Sequence, residues 1–97
     1  MADSVETEPM VLEADLRLSA AAPLATALRA LRGADINIDA SQVERLGGLC
    51  LQALLAAEAA WEADGNRFEI TSPSAEFTRD LKLLGAQDAL GLSEESL

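Results

Sequence analysis

The chain has 97 residues, which is enough for one small domain with one hydrophobic core and too few for two. Its formal charge of −10, from 17 acidic and 7 basic residues, opposes approach to a nucleic-acid backbone or to an anionic membrane surface. No apolar run approaches the roughly 20 residues that a membrane-spanning helix requires. We therefore expect neither a nucleic-acid partner nor direct membrane insertion.

Cysteine and histidine usage limits the available chemistry. The chain contains one cysteine, Cys50, and no histidine, so no intramolecular disulfide and no cysteine-based zinc site can form. A catalytic cysteine needs an activating base, and the commonest one is absent. We interpret Cys50 as a core residue and predict no catalytic residue, no metal site and no cofactor. A single free cysteine is compatible with a reducing cytoplasm, which is the localisation that we expect.

The first residues are acidic and carry neither the basic nor the apolar region of a secretory signal. We expect residues 1–9 to be a flexible leader, residues 10–92 to form a single domain and residues 93–97 to be frayed. Residues 10–18 combine a short apolar run with alternation of apolar and charged residues, which predicts one or two short strands.

A first helix is predicted over residues 19–32. Pro23 is acceptable in its first turn and Gly33 ends it. Its apolar face carries three leucines at helical spacing: Leu24, Leu28 and Leu31. Residues 34–39 then alternate β-branched and polar side chains, which predicts a strand.

The longest helical pattern begins near Gly47 or Gly48 and ends at Gly65. Its apolar and small residues recur every three or four positions, and we interpret Trp61 as a core residue at the end of this helix. Residues 66–71 alternate again and predict a further strand.

A third helix is predicted after Ser72-Pro73-Ser74, with Ser72 as the capping residue and Pro73 in the first turn. Gly85 is expected to end this helix in the left-handed conformation. Three apolar residues follow the start at helical spacing: Phe77, Leu81 and Leu84.

Helices separate the successive predicted strands and must cross over from one strand to the next. The sequence therefore predicts an α/β fold. We expect a small sandwich of three to five strands in a mostly parallel or mixed sheet, with the helices packed mainly on one face.

The segment over residues 39–55 reads D-A-S-Q-V-E-R-L-G-G-L-C-L-Q-A-L-L and resembles the central segment of STAS domains, the anti-sigma-factor-antagonist fold. In that family a strand ends in D-x-S-x-V, which is matched here by Asp39, Ser41 and Val43. The closing L-x-x-L-G at residues 81–85 also follows the family pattern, and the resemblance covers about residues 10–90. It implies a STAS-like domain without enzymatic activity that binds another protein through this loop and helix.

One departure from the family concerns the start of the long helix. Regulatory family members carry an aspartate there, followed by the serine or threonine that a partner kinase phosphorylates. This chain has Gly47-Gly48-Leu49-Cys50 instead, without a hydroxyl group. The family's phosphate switch, which adds about −1.5 to −2 charges at the helix N-terminus, has no acceptor in this window. We interpret Ser41 as a loop-organising residue and predict no phosphorylation site.

Two features of the same region bear on binding. The paired glycines lack the lysine and the spacing of a nucleotide-binding loop, so we interpret them as a tight turn and predict no ATP or GTP binding. A helical projection places Leu51 and Leu55 on the side of the acidic residues, where either a neighbouring helix or a partner must cover them. The predicted partner-binding surface comprises Ser41, Gln42, Arg45, Gly47, Gly48, Leu51, Gln52 and Leu55.

The resemblance implies a bacterial signalling setting, with a kinase or response-regulator component of a two-component or chemotaxis system as the protein partner. The alternative is a small cytoplasmic subunit of a lipid-transport ABC complex, since STAS domains also dock on transporter ATPases. A third interpretation is a small-molecule or nucleotide binder. A homodimer is left open.

Overall fold

The computed structural model describes residues 9–92, so the expectations for residues 1–8 and for residues 93–97 lie outside the described part of the chain. Within it, the elements in chain order are strand β1 (Met10–Val11), strand β2 (Asp15–Leu16), a 3-10 turn (Leu18–Ala20), helix α1 (Ala21–Ala30), strand β3 (Ile36–Asp39), strand β4 (Arg45–Leu46), helix α2 (Gly48–Asp64), strand β5 (Phe68–Thr71) and helix α3 (Ala75–Leu83). The α/β prediction is confirmed.

The main sheet contains β1, β3 and β5 in that spatial order, with both pairs parallel. Because side chains alternate along a strand, the register places Ile38 and Ile70 together on one face and Asn37 and Glu69 on the other. Ile38 and Ile70 are buried, whereas Glu69 is exposed. The apolar face therefore belongs to the core, and the opposite face is polar.

A second, two-stranded sheet joins β2 to β4 in parallel, with Leu16 opposite Leu46. The sequence patterns predicted no strand between residues 39 and 47, but the structure places Leu46 in β4, where it is buried. A strand of two residues is too short to produce a recognisable alternation, and this strand was missed for that reason.

Helix α2 lies over the apolar face of the main sheet. The indole of Trp61 meets the ring of Phe68 edge-on, with 5.8 Å between the ring centroids. Its Nε1–H donates a hydrogen bond of 2.7 Å to the carbonyl oxygen of Ala34, which fixes the end of the helix beside the start of β3. The prediction that Trp61 is a core residue is confirmed.

Helix α1 packs along α2 and is shorter than predicted, because residues 18–20 form a 3-10 turn instead. Leu24 and Leu28 are buried, but Leu31 lies beyond the last helical residue and is 45% exposed. Its predicted place on the core face is therefore wrong. The guanidinium of Arg32 ties the end of α1 to that of α2 through hydrogen bonds to both carboxylate oxygens of Asp64.

Helix α3 is capped by Ser74, whereas the sequence predicted Ser72. The Ser74 hydroxyl accepts a hydrogen bond of 2.9 Å from the Phe77 N–H and donates one of 2.6 Å to the Val43 carbonyl. Ser72 lies before the helix with a φ of 53°. Gly85 follows the helix at a φ of 78°, which confirms it as the left-handed terminator.

Candidate protein-binding surface

The turn after β3 is organised by Asp39. One carboxylate oxygen of Asp39 accepts a hydrogen bond of 2.8 Å from the Ser41 N–H. Hydrogen bonds from the backbone and the side chain of Ser41 lower the pKa of Asp39, because they stabilise the charged carboxylate. The side chains of Ser41 and Gln42 are exposed, while Val43 is buried beneath them. The loop therefore has a fixed backbone and presents two polar side chains.

Strand β4 places Arg45 on the surface. The N–H groups of Glu44 and Arg45 both donate to the Ala14 carbonyl, at 2.7 and 3.1 Å. The next residue, Leu46, donates its N–H to a carboxylate oxygen of Asp80 in α3, at 2.9 Å. Strand β4 is thereby held between the first part of the domain and α3, with the Arg45 side chain exposed.

Helix α2 begins without a side-chain cap. Gly47 precedes its first residue, and the Gly47 N–H donates to the Leu16 carbonyl at 2.9 Å. A Cβ atom at Gly47 would lie 3.4 Å from that carbonyl oxygen, whereas a Cβ atom at Gly48 would meet nothing within 4 Å. Gly48 is exposed and Leu49 is 51% exposed. The helix start is therefore an open surface on which Gly48 can be substituted without a steric clash.

The first turns of α2 present only part of the predicted surface. Gln52 is exposed, Leu55 is partly buried against the core, and Leu51 is buried with 6% of its area accessible. The sequence left open whether a neighbouring helix or a partner covers the two leucines. Leu51 is covered by its own domain, so its side chain cannot contact a partner without a rearrangement. The projection failed because α2 buries residues on more than one side: Cys50, Leu51, Leu54, Ala57 and Trp61.

Residues distant in sequence extend this surface into a shallow groove of about 250 Å³ beside β4. Arg45 and Gly47 line it together with residues that the sequence analysis did not select: Arg17, Leu46, Arg79, Asp80, Leu83 and Leu84. No local motif marks them, because the pairing of β2 with β4 and the packing of α3 on β4 bring them together. The sequence pattern grouped Leu84 with Phe77 and Leu81, but Leu84 lies just after α3 and is 44% exposed, so it belongs to the groove and not to the core.

The chemistry of Cys50 differs from that of a nucleophile. Its side chain is fully buried, and its thiol donates a weak hydrogen bond of 3.6 Å to the Arg17 carbonyl. Burial raises the pKa of the Cys50 thiol, and the charges of Asp15 and Glu13 raise it further. The thiol therefore stays protonated near neutral pH.

Within residues 9–92, no three or more histidine, cysteine, aspartate or glutamate side chains lie together in a way that could hold a metal ion. Across the same residues, no helix combines the length and the apolar character needed to span a membrane.

Comparison with known proteins yields one match. A family model described as "Mlab, STAS domain" matches residues 2–93, which is nearly the whole chain. Comparison with curated proteins and with solved structures found no match.

Proposed function

We propose that this chain, which belongs to the STAS domain family, is a non-catalytic protein-binding module of bacterial signal transduction in the cytoplasm. The observation that carries the proposal is the exposed surface around the start of α2. Backbone hydrogen bonds fix the chain there at Ala14 and Leu16, while Arg45, Gly48 and Gln52 are exposed. A preformed surface of this kind can bind a partner without a large ordering cost.

Binding at this surface is not switched by phosphorylation of the helix start. The two exposed residues there, Gly48 and Leu49, carry no hydroxyl group, and the buried thiol of Cys50 follows them. Any regulation then lies in the partner or in the concentration of either protein. A kinase or response-regulator component of a two-component or chemotaxis system is the partner that we propose.

The same helix start also suits a second setting. A subunit that remains docked on an ATPase needs no phosphate switch, so the absence of a hydroxyl at residues 47–50 fits a constitutive component of a lipid-transport ABC complex. The two settings share one binding surface and differ in the identity of the partner.

The test uses the full-length chain as bait in an extract of its native cell, with identification of the captured proteins by mass spectrometry and a repeat with the purified candidate. The variant is Gly48→Glu, which adds a charge and bulk at an open position. An acidic residue in the first turn complements the helix dipole, so the fold should be kept. We expect partner binding to fall by about tenfold or more, which corresponds to about 1.4 kcal/mol.

The matched control is Ala59→Glu, which adds the same charge at an exposed position further along α2. Ala59→Glu should bind as the wild type does. Equal binding by Gly48→Glu and the wild type would contradict the proposed surface. Recovery of a transporter ATPase without any regulator would replace the signalling setting by the second one.

A further inference from the structure

Three basic side chains from separate parts of the chain line the groove beside β4. Arg17 follows β2, Arg45 lies in β4 and Arg79 lies in α3. The whole chain has only 7 basic residues and a net charge of −10, so this grouping is unusual for the molecule. We call the site the arginine groove and define it by Arg17, Arg45, Arg79, Leu83 and Leu84.

Two of the three arginines are held in place by carboxylates. The Arg17 guanidinium donates to both oxygens of Asp15, at 2.8 and 2.9 Å, and Arg79 donates to Asp80 at 2.9 Å. Asp80 is itself fixed, because it accepts the Leu46 N–H. These pairs orient the two arginines before a ligand arrives.

Arg45 contributes a positive charge to the groove that no ion pair within residues 9–92 balances. Its side chain is exposed, and among residues 9–92 it forms no ion pair. It lines the same groove as Arg17, Arg79 and Asp80, so its charge lies close to both ion pairs. The three arginines and their partners Asp15 and Asp80 therefore carry three positive and two negative charges, and Arg45 is the arginine without a carboxylate partner among the described residues.

The other part of the groove is apolar. Leu83 is 76% exposed and Leu84 is 44% exposed, at the last residue of α3 and immediately after it. Adjacent exposed leucines beside exposed arginines are typical of a protein contact, in which apolar area is buried and arginine pairs with carboxylates.

We propose that the arginine groove binds an acidic segment of a protein partner that also inserts a large apolar side chain against Leu83 and Leu84. This rests on the proposed function, because it assigns a chemistry to the partner of the surface that begins at Arg45. Elsewhere the net charge of −10 repels an acidic segment, so the groove directs it to one place. The same net charge opposes an anionic membrane, which would approach the molecule over a wider area.

The first experiment measures fluorescence anisotropy of a labelled helical peptide that carries glutamate on one face and leucine on the other, at low ionic strength. We expect the full-length protein to bind it, and binding to weaken about tenfold or more in Arg45→Gln and in Leu84→Ser. A peptide with glutamine in place of glutamate should bind at least about tenfold more weakly, and added salt should weaken binding of the acidic peptide.

Each control replaces an exposed residue of the same type outside the groove. Leu31 is the residue after α1 as Leu84 is the residue after α3, and the two are 45% and 44% exposed, so Leu31→Ser controls for Leu84→Ser. Arg67→Gln, at another exposed arginine, controls for Arg45→Gln. Circular dichroism verifies that each variant is folded. If one of the two groove variants does not fold, the other still tests the proposal.

Three results would overturn the proposal: no binding of the acidic peptide, equal binding of the glutamine peptide, or equal losses in the controls. Binding to phosphatidylglycerol vesicles that depends on Arg45 and Leu84, with no peptide binding, would make the ligand a membrane instead.

Capture of the cellular partner separates this proposal from the proposed function. If Gly48→Glu abolishes capture while Arg45→Gln and Leu84→Ser retain it, the groove is wrong and the proposed function stands. If no variant changes capture, both fail.

Discussion

Asp80 shows how one side chain can connect two elements that are distant in sequence. It is 15% exposed, it accepts the Leu46 N–H at 2.9 Å, and it also pairs with the adjacent Arg79. Asp80 therefore holds α3 against β4 and orients one wall of the arginine groove. A carboxylate in this position links the stability of the domain to pH.

The hydrogen bond from Arg79, and after it that from the Leu46 N–H, holds the pKa of Asp80 below its ordinary value of 3.8. Because the folded-state pKa is the lower one, its contribution to stability is complete above about pH 4 and is lost as the pH falls through the folded-state value. We expect Asp80→Asn to reduce the slope of the unfolding free energy against pH below about pH 4.

Urea unfolding, followed by circular dichroism at several pH values, measures that slope. Arg79→Gln keeps the carboxylate but removes the largest cause of the lowered pKa, so its slope should lie between those of the wild type and Asp80→Asn. Identical slopes in all three proteins would show that Asp80 does not couple folding to protons.

At the scale of the element, the start of α3 depends on a single hydroxyl. Ser74 satisfies the Phe77 N–H at the helix start and simultaneously bonds the Val43 carbonyl in the loop below the predicted surface. The backbone adds a further link, because the Ser74 N–H donates to the Ala40 carbonyl at 3.1 Å. Ser74 therefore both caps α3 and positions the loop that contains Val43.

We expect Ser74→Ala to destabilise the domain by about 1–2 kcal/mol, because it removes the cap and leaves the Val43 carbonyl without this donor. Ser72→Ala is the matched control; Ser72 is exposed and lies before the helix, so its effect should stay within about 0.5 kcal/mol. Chemical unfolding of both variants measures the difference. Equal losses would mean that Ser72, as the sequence pattern indicated, shares the capping role.

At the scale of the whole molecule, the dominant electrostatic property is the net charge of −10 on 97 residues. Like charges spread over a compact domain repel one another and disfavour the folded state. Three ion pairs between residues of the described part of the chain, Arg17 with Asp15, Arg32 with Asp64 and Arg79 with Asp80, have partly exposed partners and offset little of this repulsion.

We expect the melting temperature to rise by a few degrees between low ionic strength and about 0.5 M sodium chloride, because salt shortens the screening length to roughly 4 Å and weakens the repulsion. Thermal unfolding followed by circular dichroism measures the change. Arg67→Glu makes the net charge more negative and should show a larger rise. A melting temperature that falls with salt in both proteins would mean that the ion pairs outweigh the repulsion.

Sequence alone was sufficient for the α/β class, the existence of the two longer strands and the glycines that end α2 and α3, but it left a parallel or a mixed sheet open. These features follow from local patterns: the alternation of Ile36 and Ile38, the helical spacing of the apolar residues, and the left-handed backbone that Gly65 and Gly85 adopt. The STAS resemblance over residues 10–90 rested on similarly local motifs, and the family match over residues 2–93 agrees with it.

Tertiary structure decided the features that depend on contacts between distant segments. Leu51 is buried because α2 is covered on more than one side, which no projection of a single helix can reveal. Strand β4 exists because it pairs with β2, and the hydroxyl that caps α3 is also bonded to the Val43 carbonyl, a contact between segments distant in sequence. The arginine groove is the same kind of feature, since Arg17, Arg45 and Arg79 meet only when β2, β4 and α3 have packed together.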